Sequence, residues 1–403
     1  MGNDGEVNEA KQIVALCRAG RLYELEKWIA DGKSLDISGA TKRRRQGTLL
    51  QIAVETGFHS LVELIAKHDS QSSKNAALAE ATRARRLDLV ELLAANGAEI
   101  KSLSLVDALL SWEPKLIRYF LDHGADPVED RPFTTAFVAK VRTALRPFVE
   151  YRQAHPDLAP QLQEQLDCAL RFFCAEGDLK WVSLLLWAGA NPRSRGPCPE
   201  KEYTEDPECY TSALEEACCS ENLDVLKRLK PCLSDDMSEL LQRAAIWCRR
   251  ETLAYLLDIG ADPNDKPNGG SSVLDVVLTQ LGFAHLAYGS KRLKSKYDVA
   301  RQLECVHELL SRGAIWNLSD APEMNALRRT LLECEPDVTI ELLQLLRKHN
   351  ACPAERVHKL LATPRMKQHL NPAMNALLRL GIHLDMRANA GPKAQRGRAQ
   401  ISR

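Results

Sequence analysis

Five of the twelve cysteines fall between residues 198 and 232, and they are the side chains most suited to binding a metal ion. These five are Cys198, Cys209, Cys218, Cys219 and Cys232. A structural zinc site usually takes two thiolates from a Cys-x2-Cys pair, because that spacing presents both ligands on one short turn. The chain contains no such pair, so we predict no metal site. Cysteines within apolar helical patterns, such as Cys168, Cys174 and Cys305, are interpreted as small core residues.

Motifs for nucleophilic catalysis or phosphate binding are absent from the sequence. It contains no Gly-x-Ser-x-Gly, which would expose a nucleophilic serine on a sharp turn, and no glycine-rich phosphate loop. The histidines, such as His59, His123 and His349, lie near the ends of helical patterns, where a polar cap explains them. We therefore predict no catalytic residue, no cofactor and no enzymatic activity.

Two charged segments are the best candidates for binding a partner. Residues 42–45, Lys-Arg-Arg-Arg, place four positive charges side by side, and residues 193–210 combine prolines, an acidic centre and two tyrosines. Each segment is also explained as a solvated turn or a tolerated surface insertion. The candidate contact residues are Arg43, Arg44, Arg45, Glu200, Glu202, Tyr203, Glu205, Asp206 and Tyr210.

Two further segments are basic: residues 279–297 and the chain end after residue 384. The latter combines arginines with Gly391, Pro392 and Gly397, so we expect residues 385–403 to be a disordered tail. Nucleic-acid association through residues 42–45 and this tail is the alternative function. The balance of 54 basic and 54 acidic residues disfavours it, because no overall positive field would attract a polyanion.

The elements that position these segments are short paired helices that recur along the chain. One pair is indicated by the apolar patterns of residues 48–57 and 61–68. Gly20, Gly57 and Gly177 lie between paired helices, where a left-handed residue can end the first helix. The second helix is followed by Gly-Ala-Asp-Pro or a variant. This phrase begins at Gly97, Gly124, Gly189, Gly260, Gly313 and Asn350.

A small residue recurs four positions before the turn between the helices. It is Ala53, Ala81, Ala217 or Ala245 in four of the units. A small side chain at one repeated helix position allows the next helix pair to approach closely. The alanines therefore predict helix pairs that stack on one another.

These phrases resemble those of ankyrin-repeat proteins. Gly-Ala-Asp-Pro-Asn at 260–264 matches best, and the family's Thr-Pro-Leu-His phrase has worn counterparts at 47–50 and 271–274. The resemblance covers roughly residues 10–384 with a period of about 33 residues. It implies an all-α, ankyrin-like solenoid of stacked helix-turn-helix repeats with short hairpin fingers. An irregular helical solenoid of another type is the alternative, because two-helix arrays share the same stacking physics.

The expected organisation is a lead-in at 1–9, a solenoid of about ten or eleven units at 10–384, and the basic tail at 385–403. Residues 193–210 and 279–297 are predicted insertions. The resemblance implies a scaffold or module that binds a protein partner through its concave face and fingers. We expect a cytoplasmic protein, because the start carries no secretory signal and twelve scattered cysteines suit a reducing compartment. No apolar run is long enough for a membrane span, and we expect a monomer.

Overall fold

The computed structural model describes residues 3–37, 47–197, 210–267, 270–282, 298–315 and 336–351. Its regular elements in these ranges are helices. The α-helices are α1 (Asn3–Arg18), α2 (Leu22–Ala30), α3 (Leu49–Thr56), α4 (His59–His68), α5 (Gln71–Arg83), α6 (Leu87–Ala95), α7 (Leu105–Leu110), α8 (Pro114–Asp122), α9 (Pro132–Val138), α10 (Leu145–Ala154), α11 (Ala159–Glu176), α12 (Leu179–Trp187), α13 (Ala213–Cys219), α14 (Leu223–Leu229), α15 (Met237–Ile246), α16 (Arg250–Asp258), α17 (Val273–Gly282), α18 (Val299–Ser311) and α19 (Pro336–Lys348). The predicted all-α class is confirmed within these ranges.

The chain divides into two compact units, and the division passes through the α11–α12 pair. Unit 1 comprises the described residues within Met1–Phe172, Leu184–Asn191 and Gly196–Glu205. Unit 2 comprises those within Phe173–Ser183, Pro192–Arg195 and Asp206–Arg403. Within the described residues, no helix is both long and apolar enough to cross a bilayer.

Unit 1 is a stack of helix pairs. The first helices α1, α3, α5, α7 and α9 pack against one another in that order, and the second helices α2, α4 and α6 form a parallel row. Unit 2 has the same construction. In unit 2, α13, α15 and α17 pack in succession, as do α14, α16 and α18, and α19 packs on α18.

The predicted turn glycines and stacking alanines have the expected geometry. Gly20, Gly57 and Gly177 adopt φ values of 68°, 76° and 74°, in the left-handed region. The four repeated alanines, Ala53, Ala81, Ala217 and Ala245, have no exposed surface. Helix starts are also set locally: Thr48 and Gln51 cap each other's backbone N–H groups at the start of α3.

Two predicted boundaries differ from the helices. Helix α1 begins at Asn3, so most of the proposed lead-in at 1–9 belongs to the first helix. Helix α17 continues to Gly282, so residues 279–282 extend a helix instead of beginning the insertion. Leu278 and Leu281 are fully buried there, which explains why the helix continues. The remainder of that insertion and the basic tail at 385–403 lie outside the described residues.

Replacing Ala53 with leucine should destabilise the stack. The Ala53 side chain is fully buried on α3, which packs against both α1 and α5, so three added carbons would push neighbouring pairs apart. Overpacking of this kind costs about 1–3 kcal/mol. Urea unfolding measures the change, and Glu55→Leu, at an exposed position of the same helix, is the control. Equal stabilities of the two variants would contradict the stacking role.

Candidate functional site

The structure describes only part of the predicted partner-binding segments. Arg43, Arg44 and Arg45 lie outside the described residues, as do Glu200, Glu202, Tyr203, Glu205 and Asp206. Tyr210 is described and is half-buried. The residues on either side of 198–209 are described too. They form the base from which the insertion starts and to which it returns, and this base is the candidate functional site.

In unit 2, Arg193 joins the start of the insertion to the segment before α15. It donates hydrogen bonds from Nε to Asp235 Oδ1 at 2.6 Å and from Nη2 to Asp235 Oδ2 at 2.9 Å. Only 8% of the Asp235 side chain is exposed. This burial is the largest single influence and favours the neutral acid, but the hydrogen bonds and charge of Arg193 and the hydrogen bonds from Cys232 together outweigh it, so the pKa of Asp235 is lowered. The two-point geometry fixes the arginine's orientation as well as its position.

Arg195 links both ends of the insertion to a buried carboxylate in the same unit. Its Nη1 donates to Glu215 Oε1 at 2.8 Å, and its Nη2 donates to the Tyr210 carbonyl oxygen at 2.7 Å. Tyr210 lies at the returning end of the insertion, so one guanidinium holds both ends. Glu215 is on the first turn of α13, which Ser212 caps by accepting from the Glu215 N–H.

Glu215 is nearly buried, and its charge is balanced by two arginines. Ser212 Oγ donates to Oε1 at 3.0 Å, and Arg243 Nη2 lies 3.5 Å from Oε2. Burial raises the pKa of Glu215, and Arg195 and Arg243 reduce the rise without cancelling it. The negative charge of buried Glu215 is only partly compensated, so the ionised side chain is stable there only while Arg195 stays in place. The base therefore couples α13 to the insertion.

In unit 1, Pro197 near the start of the same insertion accepts a hydrogen bond from a buried arginine of α11. The Pro197 carbonyl oxygen accepts from Arg171 Nε at 3.0 Å, and Arg171 Nη2 donates to Glu164 Oε1 at 2.6 Å. Arg171 has no exposed surface. Gly196 passes so close to this pair that an added Cβ would collide with the Arg171 guanidinium. Glycine is favoured at this position because the Arg171 guanidinium leaves no space for a Cβ. Backbone conformation is not the reason, because the φ of Gly196 is not in the left-handed region.

The cysteines near the insertion do not form a metal cluster within the described ranges. Cys218 is buried, Cys219 is half-buried and Cys232 is exposed, whereas Cys198 and Cys209 are outside those ranges. Among the residues that the structure describes, no three metal-binding side chains converge. The Cys232 thiol lies 3.5 Å from Arg193 Nη2 and 3.0 Å from Ser234 Oγ, and the contact with Ser234 is the main cause of its lowered pKa.

Sequence reasoning missed the residues that anchor the insertion. The sequence pattern places Glu215 and Asp235 near helix starts, where acids complement the helix dipole, and it does not pair them with Arg193 or Arg195. Glu215 does lie in the first turn of α13, but both acids are partners of the insertion's arginines. The alternation Arg193-Ser194-Arg195 next to Pro192 was the one available signal. It indicates two arginines in an extended segment but not which acids they bind.

Comparison with known proteins gives matches only among solved structures. No family model and no curated protein matches the chain. The ankyrin repeat domain of human ASB11 is 18% identical, with 66% of this chain and 96% of that domain covered and a TM-score of 0.30. The ankyrin repeat domain of Bcl-3, a member of the IκB family, is 17% identical, with 71% and 97% covered and a TM-score of 0.29. The ankyrin-like interpretation therefore depends on this chain's own turns and helix pairs.

Neutralising Glu215 and Asp235 should change stability with opposite pH dependences. The folded-state pKa of Glu215 is above its ordinary value of 4.5, so the wild type loses stability as pH rises through that range. The stability of Glu215→Gln relative to wild type should therefore increase from about pH 4 to about pH 7. The pKa of Asp235 is below 3.8, so its stabilisation is present at neutral pH and is lost in acid.

The paired variant is Asp235→Asn. It should be less stable than wild type at neutral pH, and the difference should shrink as pH falls through the folded-state pKa of Asp235. Urea unfolding at several pH values measures both series. A pH dependence of the same sign for the two variants would contradict the assigned environments.

Proposed function

We propose that this chain is a non-catalytic protein-recognition module and that the insertion at 193–210 is its principal contact with a partner. One observation carries the proposal: in unit 2, the Arg195 guanidinium binds both nearly buried Glu215 and the Tyr210 carbonyl oxygen, and so holds the two ends of the insertion. Arg193 and Arg195 bind Asp235 and Glu215 in unit 2, and Arg171 binds the Pro197 carbonyl in unit 1. An insertion without a role needs no such base, because surface loops tolerate added length at little cost.

The composition of residues 198–209 suggests a basic partner surface. The segment contains Glu200, Glu202, Glu205, Asp206 and Glu208 against the single base Lys201, with Tyr203 among them. Tyrosine with a few charges is a composition typical of binding hot spots, where an aromatic anchor is surrounded by polar contacts. We propose a second, weaker contact in which acidic groups of the partner bind Arg43, Arg44 and Arg45.

We also propose that the protein is cytoplasmic and monomeric and that it has no cofactor. None of the cysteines that the structure describes is in a disulfide, and most of them are buried in the core. This use of cysteine suits a reducing compartment. Stacked repeats offer a preformed surface, which lowers the ordering cost of binding a partner.

The test is affinity capture from nuclease-treated lysate with the tagged full-length chain. One variant has residues 198–209 replaced by a Gly-Ser linker, which keeps Arg193, Arg195 and Pro197. The matched control has residues 283–297 replaced by a linker of the same composition. We expect quantitative mass spectrometry to find a protein captured by wild type and control but reduced at least about tenfold by the first variant, which corresponds to about 1.4 kcal/mol of binding energy.

Binding of that protein must then be reproduced with purified components. Capture that is equal for wild type and both variants would overturn the assignment of the insertion. Capture that is lost on nuclease treatment would favour the nucleic-acid alternative. Circular dichroism and urea unfolding of both variants establish that the stack is intact, since each replacement lies outside the described helices.

A further inference from the structure

Three successive second helices carry an aromatic residue at or near their carboxyl ends in unit 1. They are Tyr119 on α8, Tyr151 on α10 and Trp187, the last residue of α12, and we name them the aromatic row. Trp187 is 68% exposed, and the two tyrosines are half-buried. Single exposed aromatic side chains are ordinary at a protein surface, but a contiguous group is typical of an interaction site.

Direct hydrogen bonds hold the three helix ends next to one another. Arg118 Nη2 donates to Glu150 Oε2 at 2.6 Å, which links α8 to α10. Arg152 Nη2 donates to the Ala188 carbonyl oxygen at 2.7 Å, which links α10 to the end of α12. Each of these four residues is next in sequence to a member of the aromatic row, so the row spans three neighbouring helix ends.

The two tyrosines are held in place by histidines that end their helices. The His123 ring stacks on Tyr119 with 3.9 Å between centroids, and the His155 ring stacks on Tyr151 with 4.0 Å. Nδ1 of each histidine lies 2.7 or 3.0 Å from the carbonyl oxygen of the same tyrosine, and Nδ1 is the donor because a carbonyl can only accept. These contacts order the rings before any partner binds, which lowers the cost of binding.

Unpaired carboxylates lie near the middle of the row. Burial is the first cause of the raised pKa of Tyr151, and the negative charges of Asp157, Asp126 and Asp122 raise that pKa further. All three aspartates are exposed, and none of them forms an ion pair with another described residue. The carboxyl end of each helix adds partial negative charge to the same region. The surface beside the aromatic row is therefore negative.

The basic side chains of this part of unit 1 do not cancel that field. Arg118 and Arg146 both bind one glutamate, and Arg152 is bound to the carboxyl end of α12. Lys101 is exposed and packs against the loop that follows α8. The charges that shift the pKa of Tyr151 are nevertheless all negative, so at this ring the aspartates prevail over these cations.

We propose that the aromatic row, together with Asp122, Asp126 and Asp157, binds a basic, extended segment of a protein partner. An arginine or lysine of that segment would pack on an exposed ring face, which attracts cations, and would pair with a carboxylate. Packed helices lie about 8–10 Å apart and an extended chain advances about 3.3 Å per residue, so matching cations are about three residues apart. The proposal rests on the proposed function for the class of partner alone, and it uses no residue of the insertion.

A basic protein segment fits this surface better than a nucleic acid or a membrane does. The unpaired aspartates attract cations, and for the same reason they repel a phosphate backbone or an anionic lipid surface. Proteins that bind single strands place their stacking rings along a basic groove, whereas the groups beside these rings are acidic.

Two variants remove the two parts of the surface. Trp187→Ser removes the most exposed ring, and Asp122→Asn with Asp157→Asn removes two negative charges while keeping the size of the side chains. Asp126 is left unchanged, because its Oδ1 accepts the backbone N–H two residues later at 2.7 Å and shapes the loop. A third variant combines all three changes.

Matched controls lie at the other end of unit 1. Tyr23→Ser removes an aromatic side chain of α2 that is 79% exposed, and Glu9→Gln with Glu26→Gln neutralises two exposed acids of α1 and α2. All the replaced side chains are on the surface, so we expect unchanged melting temperatures for variants and controls.

The probe is a randomised heptapeptide library displayed on phage and selected on the full chain. We expect enriched peptides that carry two basic residues about three positions apart. Peptides that bind the acidic insertion instead are identified because they lose binding to the variant with 198–209 replaced. Peptides of the aromatic row bind that variant as they bind wild type, so failure of the insertion proposal leaves this result unchanged.

Fluorescence anisotropy then measures binding of the peptides that tolerate replacement of 198–209. Trp187→Ser and the double asparagine variant should each weaken binding about three- to tenfold, because a ring–cation contact or two exposed ion pairs are lost. The combined variant should weaken it more than either, and both controls should bind as wild type does. Added salt should weaken binding to wild type, since the carboxylates are exposed.

Four results would overturn the proposal. The first is that no peptide is enriched or that enriched peptides lack basic residues, and the second is that every enriched peptide requires residues 198–209. The third is equal binding of the remaining peptides to wild type and the combined variant. The fourth is a loss of binding in the controls as large as in the aromatic-row variants.

Discussion

The described fold depends on a tight backbone reversal between the paired helices, and most of these reversals contain a residue with positive φ. Three of these reversals also contact the next repeat. The Phe58 ring lies over Gly20, Arg86 lies over Gly57, and Asn222 Nδ2 donates to the Gly177 carbonyl at 3.0 Å. The loops that follow second helices are covered likewise: Lys101 lies over Gly124 and Leu233 over Gly260. A left-handed residue thus ends one helix and provides a flat surface for its neighbour.

This constraint explains where the chain can and cannot vary. Stacked pairs need contacts only with adjacent pairs, so a long segment can be added between repeats if its ends are held. The insertion meets this condition with charge-assisted hydrogen bonds to nearly buried acids. Such pairs are costly to break, because the remaining charge would be buried without compensation. The hydrogen bonds of Arg193 and Arg195 therefore fix the base more firmly than exposed ion pairs would, whereas Arg21 and Glu24, both well exposed, contribute little.

Much of the fold could be predicted because its signals are local. Gly57 ends α3 by its own conformational freedom, and Ala53 is small at the position where the next helix approaches. The anchoring of the insertion was not predictable, because Arg193 and Asp235 are 42 residues apart and become neighbours only through stacking. The left-handed conformation of Arg85, Trp112 and Lys140 was not predictable for a different reason. Without a glycine at the turn, the sequence contains no local signal for positive φ.

A long insertion loses conformational freedom when it binds, and its fixed base removes only part of that cost. The turns that follow α5, α7 and α9 carry Arg85, Trp112 and Lys140, and each is fixed between two packed helices. A non-glycine residue in the left-handed region costs about 1–3 kcal/mol, and three such residues draw on the stability supplied by packing in α5, α7 and α9. A stacked array can sustain that loss more easily than an isolated helix pair, so stacking is what allows large side chains to adopt the left-handed conformation at these turns.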